Sequence, residues 1–455
     1  MNLIDRTQKP QPKGEISFSL PEIQKFRLEN GLNVYFIKKN KFPILQVNLL
    51  INGGSVFDPK DRYGLSNLFS MVIDEGAGDF DSLQLSDEFD SLGTHFSVSS
   101  SEDNLYFSLQ TLEENFEKSL DLFSTVITKP HLEEKDFHRE RRKIITRILQ
   151  MQDEPDEIAD MVYQFRIYGK TNPYAFPVIG YENTVKDISK DDIKGYRDNY
   201  LHPDNSTLII VGDITREKLE DKLNSYLRDW KPGKASSNAD SPYTAQRKKI
   251  YLADKKDSVQ SEIRIGHLST KRNDADYFSK LLLNTILGGQ FTSRINLNLR
   301  ERKGYTYGAH SRFNYFKNSA DFCVSTSVGI ENTANAVHEI FNELNGIQEG
   351  IKPEELEFAK SSIIRKFPSN FETNKQIASN IIGMVIHSLP DNYFNNYIEE
   401  IKSIEMDNVN SAAEKYIKPN ESIIILVGDK AKLIEQFKNF DIETIETDIK
   451  GELKS

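Results

Sequence analysis

Metal chemistry through histidine is the first chemistry to weigh, because spacing decides whether any of the chain's eight histidines can share an ion. They are His95, His131, His138, His202, His267, His310, His338 and His387, and no two stand four apart with a glutamate between them. On a helix that spacing would put both rings on one face, as a zinc site requires. His338-Glu339 opens like His-Glu-x-x-His, but Asn342 stands where the second histidine belongs. The eight therefore read as isolated surface or capping residues. Cys323 is the single cysteine, so no intrachain disulfide forms and the fold does not depend on an oxidising compartment.

A second group of candidate residues lies in the segment 284–313, NTILGGQFTSRINLNLRERKGYTYGAHSRF. Gly288-Gly289 breaks one helix, and Ser293-Arg294-Ile295 opens another that runs to about Arg302. Gly304 stands as its C-terminal stop, and Tyr305 to Phe313 alternates as a strand. An arginine in a last helical turn, as Arg300 is here, complements the macrodipole whatever the function. A strand tyrosine such as Tyr307 is ordinarily half-buried packing. The local pattern alone assigns the pair no chemistry.

The elements that must position these residues come in two sets. Residues 200–213 read YLHPDNSTLIIVGD and residues 416–429 read YIKPNESIIILVGD, so Tyr200 answers to Tyr416. Ile188 and Ile404 are separated by the same interval, each in an acidic segment that starts a helix leading to the tyrosine. Such self-similarity marks a duplication. Between the copies, Lys231 to Pro242 is rich in turn formers and poor in apolar residues. The expected division is a first domain at 15–231, a linker at 232–248 and a second domain at 249–450, the two able to hinge. In the first copy Asn30-Gly31 joins Phe26-Arg27-Leu28 to Asn33–Ile37 as a hairpin, and Leu45–Ile51 extends the sheet. Helical spacing runs through 61–74, 82–92, 113–127 and 132–152, with strands at 96–98 and 105–109 between. This order predicts α+β domains, each a mostly antiparallel sheet with helices on one face.

Composition bounds the function classes. With 455 residues, 38% hydrophobic, the chain can bury two or more cores, and 28% charge marks it as a folded, water-facing protein. A net charge of −11 disfavours nucleic acid and anionic membranes as primary partners, and leaves basic peptides open. No apolar run approaches the roughly 20 residues needed to span a bilayer. Met1-Asn2-Leu3-Ile4-Asp5-Arg6 has no apolar h-region before Lys9 and Pro10, so the expected compartment is cytoplasmic, or periplasmic if the chain has been trimmed.

Two further segments carry a family likeness. Residues 64–71 read Gly64-Leu65-Ser66-Asn67-Leu68-Phe69-Ser70-Met71. Residues 140–155 read Glu140-Arg141-Arg142-Lys143-Ile144-Ile145-Thr146-Arg147-Ile148-Leu149-Gln150-Met151-Gln152-Asp153-Glu154-Pro155. With the segment 284–313 they make almost the whole chain resemble the inverted-zincin metallopeptidases of the pitrilysin/insulinase type, in particular the mitochondrial-processing-peptidase branch. In that family the first segment carries His-x-x-Glu-His, two zinc ligands and a general base. The second segment carries the glutamate that completes the metal shell.

Here the four positions are Asn67, Ser70, Met71 and Arg147, while Glu140 keeps the family's earlier acid. An amide is a poor zinc ligand, a hydroxyl is no base near neutral pH, a thioether prefers softer metals, and a cation replaces an anionic ligand. The resemblance implies that Arg300 and Tyr307 match the arginine and tyrosine which lean over the zinc site and bind the scissile carbonyl, stabilising its oxygen as it becomes anionic. It further implies a clam shell of two chains. This chain is then the metal-free, non-catalytic subunit of a heteromeric peptidase acting on unfolded peptides, with zinc held by a homologous partner. Its edge strands could take an extended peptide by strand addition. The alternative is a peptide-binding or scaffold homodimer outside proteolysis, as resembling subunits of respiratory complexes are.

Overall fold

The computed structural model describes residues 14–234 and 247–454. The first thirteen residues, and positions 235–246 of the expected linker, lie outside the described residues. In the first half, β1 (Gln24–Arg27), β2 (Asn33–Lys38), β3 (Ile44–Asn52), β4 (His95–Ser100), β5 (Asn104–Leu112) and β6 (Ser206–Gly212) form a sheet in the order β1-β2-β6-β3-β5-β4. In the second, β7 (Ile250–Asp254), β8 (Gln260–Leu268), β9 (Ala309–Tyr315), β10 (Ala320–Gly329), β11 (Ile423–Gly428) and β12 (Thr444–Thr447) form another in the order β12-β7-β11-β8-β10-β9. Apart from the outermost strands β1 and β12, the two orders match term by term, and β3 and β8 keep the interval between Tyr200 and Tyr416 end for end. Pairing is mostly antiparallel, as the α+β reading requires, with β2·β6, β7·β11 and β7·β12 parallel.

The repeat is legible down to single hydrogen bonds. Buried Ser206 donates its hydroxyl to the His202 carbonyl at 2.6 Å, and its counterpart in the second copy, buried Ser422, donates to the Lys418 carbonyl at 2.9 Å. Each bond holds the turn that feeds the central strand. The outermost strands differ. β1 turns antiparallel onto β2 through the expected hairpin, where Gly31 takes a φ of 91° that favours glycine, whereas β12 arrives from the far end of the chain and runs parallel to β7.

Helices cover both faces of each sheet, not one. On its own side the first sheet turns Leu45, Val47, Leu49 and Ile51 to Leu68, Phe69 and Phe123. Its other face, Ile37, Leu50, Ile209 and Val211, packs against Ile377, Ile381 and Met384 of the second half's Asn374–Ile386 helix. Reciprocally, the first half's Pro155–Tyr168 helix seats Ile158, Val162 and Phe165 against Tyr251, Ile423, Ile425 and Val427 of the second sheet. The reason is in the central strands. β11 is buried at every position, and such a strand needs cover on both sides. Each fully buried aliphatic side chain contributes about 1.5–3 kcal/mol, so a hinge between the halves would have to expose two such clusters. No helix among the described residues is long and apolar enough to cross a membrane.

Candidate functional site

The helix Leu65–Val72 carries Asn67, Ser70 and Met71, three of the four positions expected to match the family's zinc site, and its start is tightly built. Gly64 has a φ of 98°, and a Cβ there would lie 2.6 Å from the Ile179 carbonyl. Buried Asp58 caps the helix, accepting from the Gly64 and Ser66 amides at 2.9 Å each. Burial pushes its carboxyl up to about 7 despite those bonds.

On this helix Asn67 is half-buried. Ser70 is buried and donates its hydroxyl to the Asn67 carbonyl at 2.7 Å, and Met71 packs against the first core. Arg147, on the adjoining helix Glu134–Met151, is half exposed and bonds Glu157 on the next helix at 2.7 Å. Glu140 is 2% exposed, its Oε1 accepting from Arg139 Nε at 2.8 Å and Lys143 Nζ at 2.7 Å. Arg139 also pairs with Glu75 and with buried Asp136, so one guanidinium gathers three carboxylates. Sequence reading singled out Glu140 and missed Arg139, although Asp136 and Arg139 stand at helical i, i+3 spacing. Asp74, three residues beyond Met71, is pushed up to about 7 by burial, with Glu75 and Glu140 adding to the effect.

An amide, a hydroxyl, a thioether and a guanidinium do not fit zinc, which takes imidazole, thiolate or carboxylate donors. Among the described residues no group of three or more His, Cys, Asp or Glu side chains is placed to hold a metal.

In the second half Ser293 precedes a helical turn, Arg294–Asn296, but the segment then widens into a π-helix, Leu297–Arg302. Such wide turns are rare and often sit at functional sites. Buried Asn298 anchors this one, donating to Glu339 at 3.0 Å and Glu343 at 2.8 Å. Gly304 stops the helix with a φ of 66°, as expected. The strand, however, starts only at Ala309. Thr306 Oγ1 accepts from the Gly308 amide at 3.1 Å, so 305–308 is a self-bonded loop instead of a ladder. Tyr305 packs partly against the second core, whereas Tyr307 is 95% exposed. Arg300 is 36% exposed, its guanidinium 4.3 Å from the Phe291 ring centroid and Nε 3.5 Å from Glu301. No hydrogen bond, ion pair or ring contact joins Arg300 to Tyr307, or either to Asn67, Ser70, Met71 or Arg147, among the described residues.

Residues 34–173 match the model of the insulinase family (peptidase family M16), and residues 187–363 match that of the peptidase M16 inactive domain. A Rickettsia bellii protein described as an uncharacterized zinc protease is 24% identical over 416 residues, 91% of this chain and 93% of its own length. A Helicobacter pylori protein described as the non-peptidase homolog YmxG is 21% identical over 404 residues, 88% of this chain and 92% of its own length. The crystal structure of a peptidase M16 inactive domain from Pseudomonas fluorescens superposes with a TM-score of 0.85 at 22% identity, covering 90% of this chain and 98% of that one. Two adjoining matches to one family, over a doubled fold that a solved member shares, place the chain in the insulinase family, M16.

Proposed function

We propose that this chain is the non-catalytic, substrate-binding subunit of a heteromeric zinc endopeptidase acting on unfolded peptides, presenting Arg300 and Tyr307 to the zinc site of a homologous partner. The observation that carries the reading is Tyr307. A phenol 95% exposed on a self-bonded loop contributes nothing to its own core, while Tyr305 two residues earlier does pack. A guanidinium and a phenol are donors suited to a carbonyl oxygen that becomes anionic. The replaced positions offer no zinc donor set, and the relatives' names include both a zinc protease and a non-peptidase homolog, which suits a division of labour.

Alone, the chain should retain no stoichiometric zinc after dialysis and cleave no peptide. Mixed with a homologue carrying an intact His-x-x-Glu-His, it should create activity that neither chain has. Tyr307→Phe should leave the complex assembled yet lower turnover about a hundredfold, the usual cost of one lost oxyanion donor, and Arg300→Ala should lower it further. Tyr305→Phe, which keeps the packed ring, should be silent. Wild-type cleavage by assembled Arg300 and Tyr307 variants would return the chain to the scaffold reading.

A further inference from the structure

The exchanged helices border an opening between the halves, a cavity of about 650 Å³. Its walls are the Pro155–Tyr168 helix, the outer strands β9 and β10, the turn before β5 and the end of the Asn374–Ile386 helix. At its floor Asp321 is buried and already engaged. Tyr168 Oη donates to Oδ1 at 2.6 Å, while Tyr163 Oη at 2.9 Å and Asn314 Nδ2 at 2.8 Å donate to Oδ2. Arg312, two residues before Asn314 on the same face of β9, lines the same cavity and is exposed. Among the described residues it makes no hydrogen bond or ion pair, and its charge is near enough to Asp321 to favour that carboxylate. Neighbouring arginines are committed: Arg264 bonds Asp160 at 2.6 Å, and Arg272 lies over the Tyr277 ring and donates to Tyr393.

We propose that this cavity binds the free carboxylate end of a peptide, the carboxylate on the Arg312 guanidinium and the terminal side chain against Tyr168 and Phe316, whose rings meet edge to face at 6.0 Å. The guanidinium fork matches a carboxylate with two parallel bonds. The volume suits a few peptide residues. Glu102 and Asp160 also line the cavity and, with Asp321, oppose a dianion such as phosphate more strongly than a single carboxylate, while the oxygens of Glu102 and Asp160 can accept from the peptide's own amides. The assignment rests on the reading of the chain as a peptide-binding subunit, and names the part of the peptide held here.

The test uses the full chain alone, with an N-terminally fluorescein-labelled hexapeptide ending in phenylalanine, as the free acid and as the amide, read by anisotropy. The acid should bind about tenfold or more tighter than the amide, as charge-assisted hydrogen bonds allow. R312A should remove that preference with an unchanged melting curve, since the side chain is exposed, and R312K should keep part of it. Equal affinity for acid and amide, or a preference that survives R312A, overturns the proposal. So does inorganic phosphate displacing the peptide better than acetate at equal concentration, which would mark a general anion site. No partner is present, so the acid preference can stand if partner-dependent cleavage fails, and can fail while that cleavage stands.

Discussion

The same pair of helices occurs in both halves with opposite interiors. In the first half it presents Asn67, Ser70, Met71, Glu140 and Arg147. At the matching positions of the second copy stand Leu283, Ile286, Leu287, Leu356 and Ile363, all within or against the second core. The second pair is held by ordinary apolar burial. The first keeps two carboxylates, Asp136 and Glu140, each 2% exposed and neutralised by Arg139, with Lys143 on Glu140. The positions expected to match the family's zinc site have therefore not become ordinary core. The first pair keeps a charged interior whose stability depends on pairing, because a buried charge left without its partner is costly.

The largest expected effect comes from breaking that pairing. Arg139→Met leaves Glu75 and Asp136 without their cation and Glu140 with Lys143 alone, and should cost about 3 kcal/mol, the low end for a broken buried pair because the guanidinium is partly exposed. A urea midpoint unchanged from wild type would show that the first pair, like the second, is held by apolar contacts.

Next comes acid, which should separate the halves. In the second, His267 is 1% exposed, its Nε2 accepting from the Lys418 amide at 3.0 Å, and burial lowers its pKa to about 4. A folded pKa below the unfolded value means stability present above about pH 6.5 and lost as pH falls toward 4, on the order of 3 kcal/mol. His387, lowered to about 4 by burial and then by Arg272, titrates in the same window. The first half has Ile51 at the position matching His267, and its raised carboxyls, Asp58 and Asp74, act with the opposite sign. Their stabilisation is full below about pH 4 and lost as pH rises through about 7. Amide exchange at pH 5 against pH 7 should thus speed in the second half relative to the first, and His267→Gln should shrink the contrast. Parallel changes in both halves, indifferent to that substitution, would dissolve it.

The smallest effect should follow Met71→Leu, which installs the second half's residue at the matching position. A near-isosteric swap against an existing core should cost under about 1.5 kcal/mol in a thermal melt. A larger loss would mean that the first pair constrains even its apolar member.

Local signals carried much of this into the sequence. Asn30-Gly31 announced the hairpin, the YLHPDNSTLIIVGD repeat announced the duplication, and helical spacing found Ser82–Ser91 within a residue. What escaped was non-local or broke the period. The exchange of Pro155–Tyr168 for Asn374–Ile386 depends on which sheet a helix meets, which periodicity does not encode, although the unalternating run Ile423–Val427 already asked for cover on two faces. Tyr305 and Tyr307 mimic strand alternation, yet Gly304, Gly308 and the Thr306 hydroxyl make a loop. The π-turn hides because its extra residue, in a run of Leu297, Asn298 and Leu299, looks like ordinary helix. Arg139 escaped because one more charge in a charged helix looks like solvated surface.

The exchanged helices also bear on ancestry. A polypeptide of half this length would leave one face of its sheet bare and one helix without a seat. Two copies trading that helix satisfy both, much as a domain-swapped dimer does. Fusion of two such copies would fix the trade inside one chain, and from then on the gene could not be cut back to either half without unfolding both.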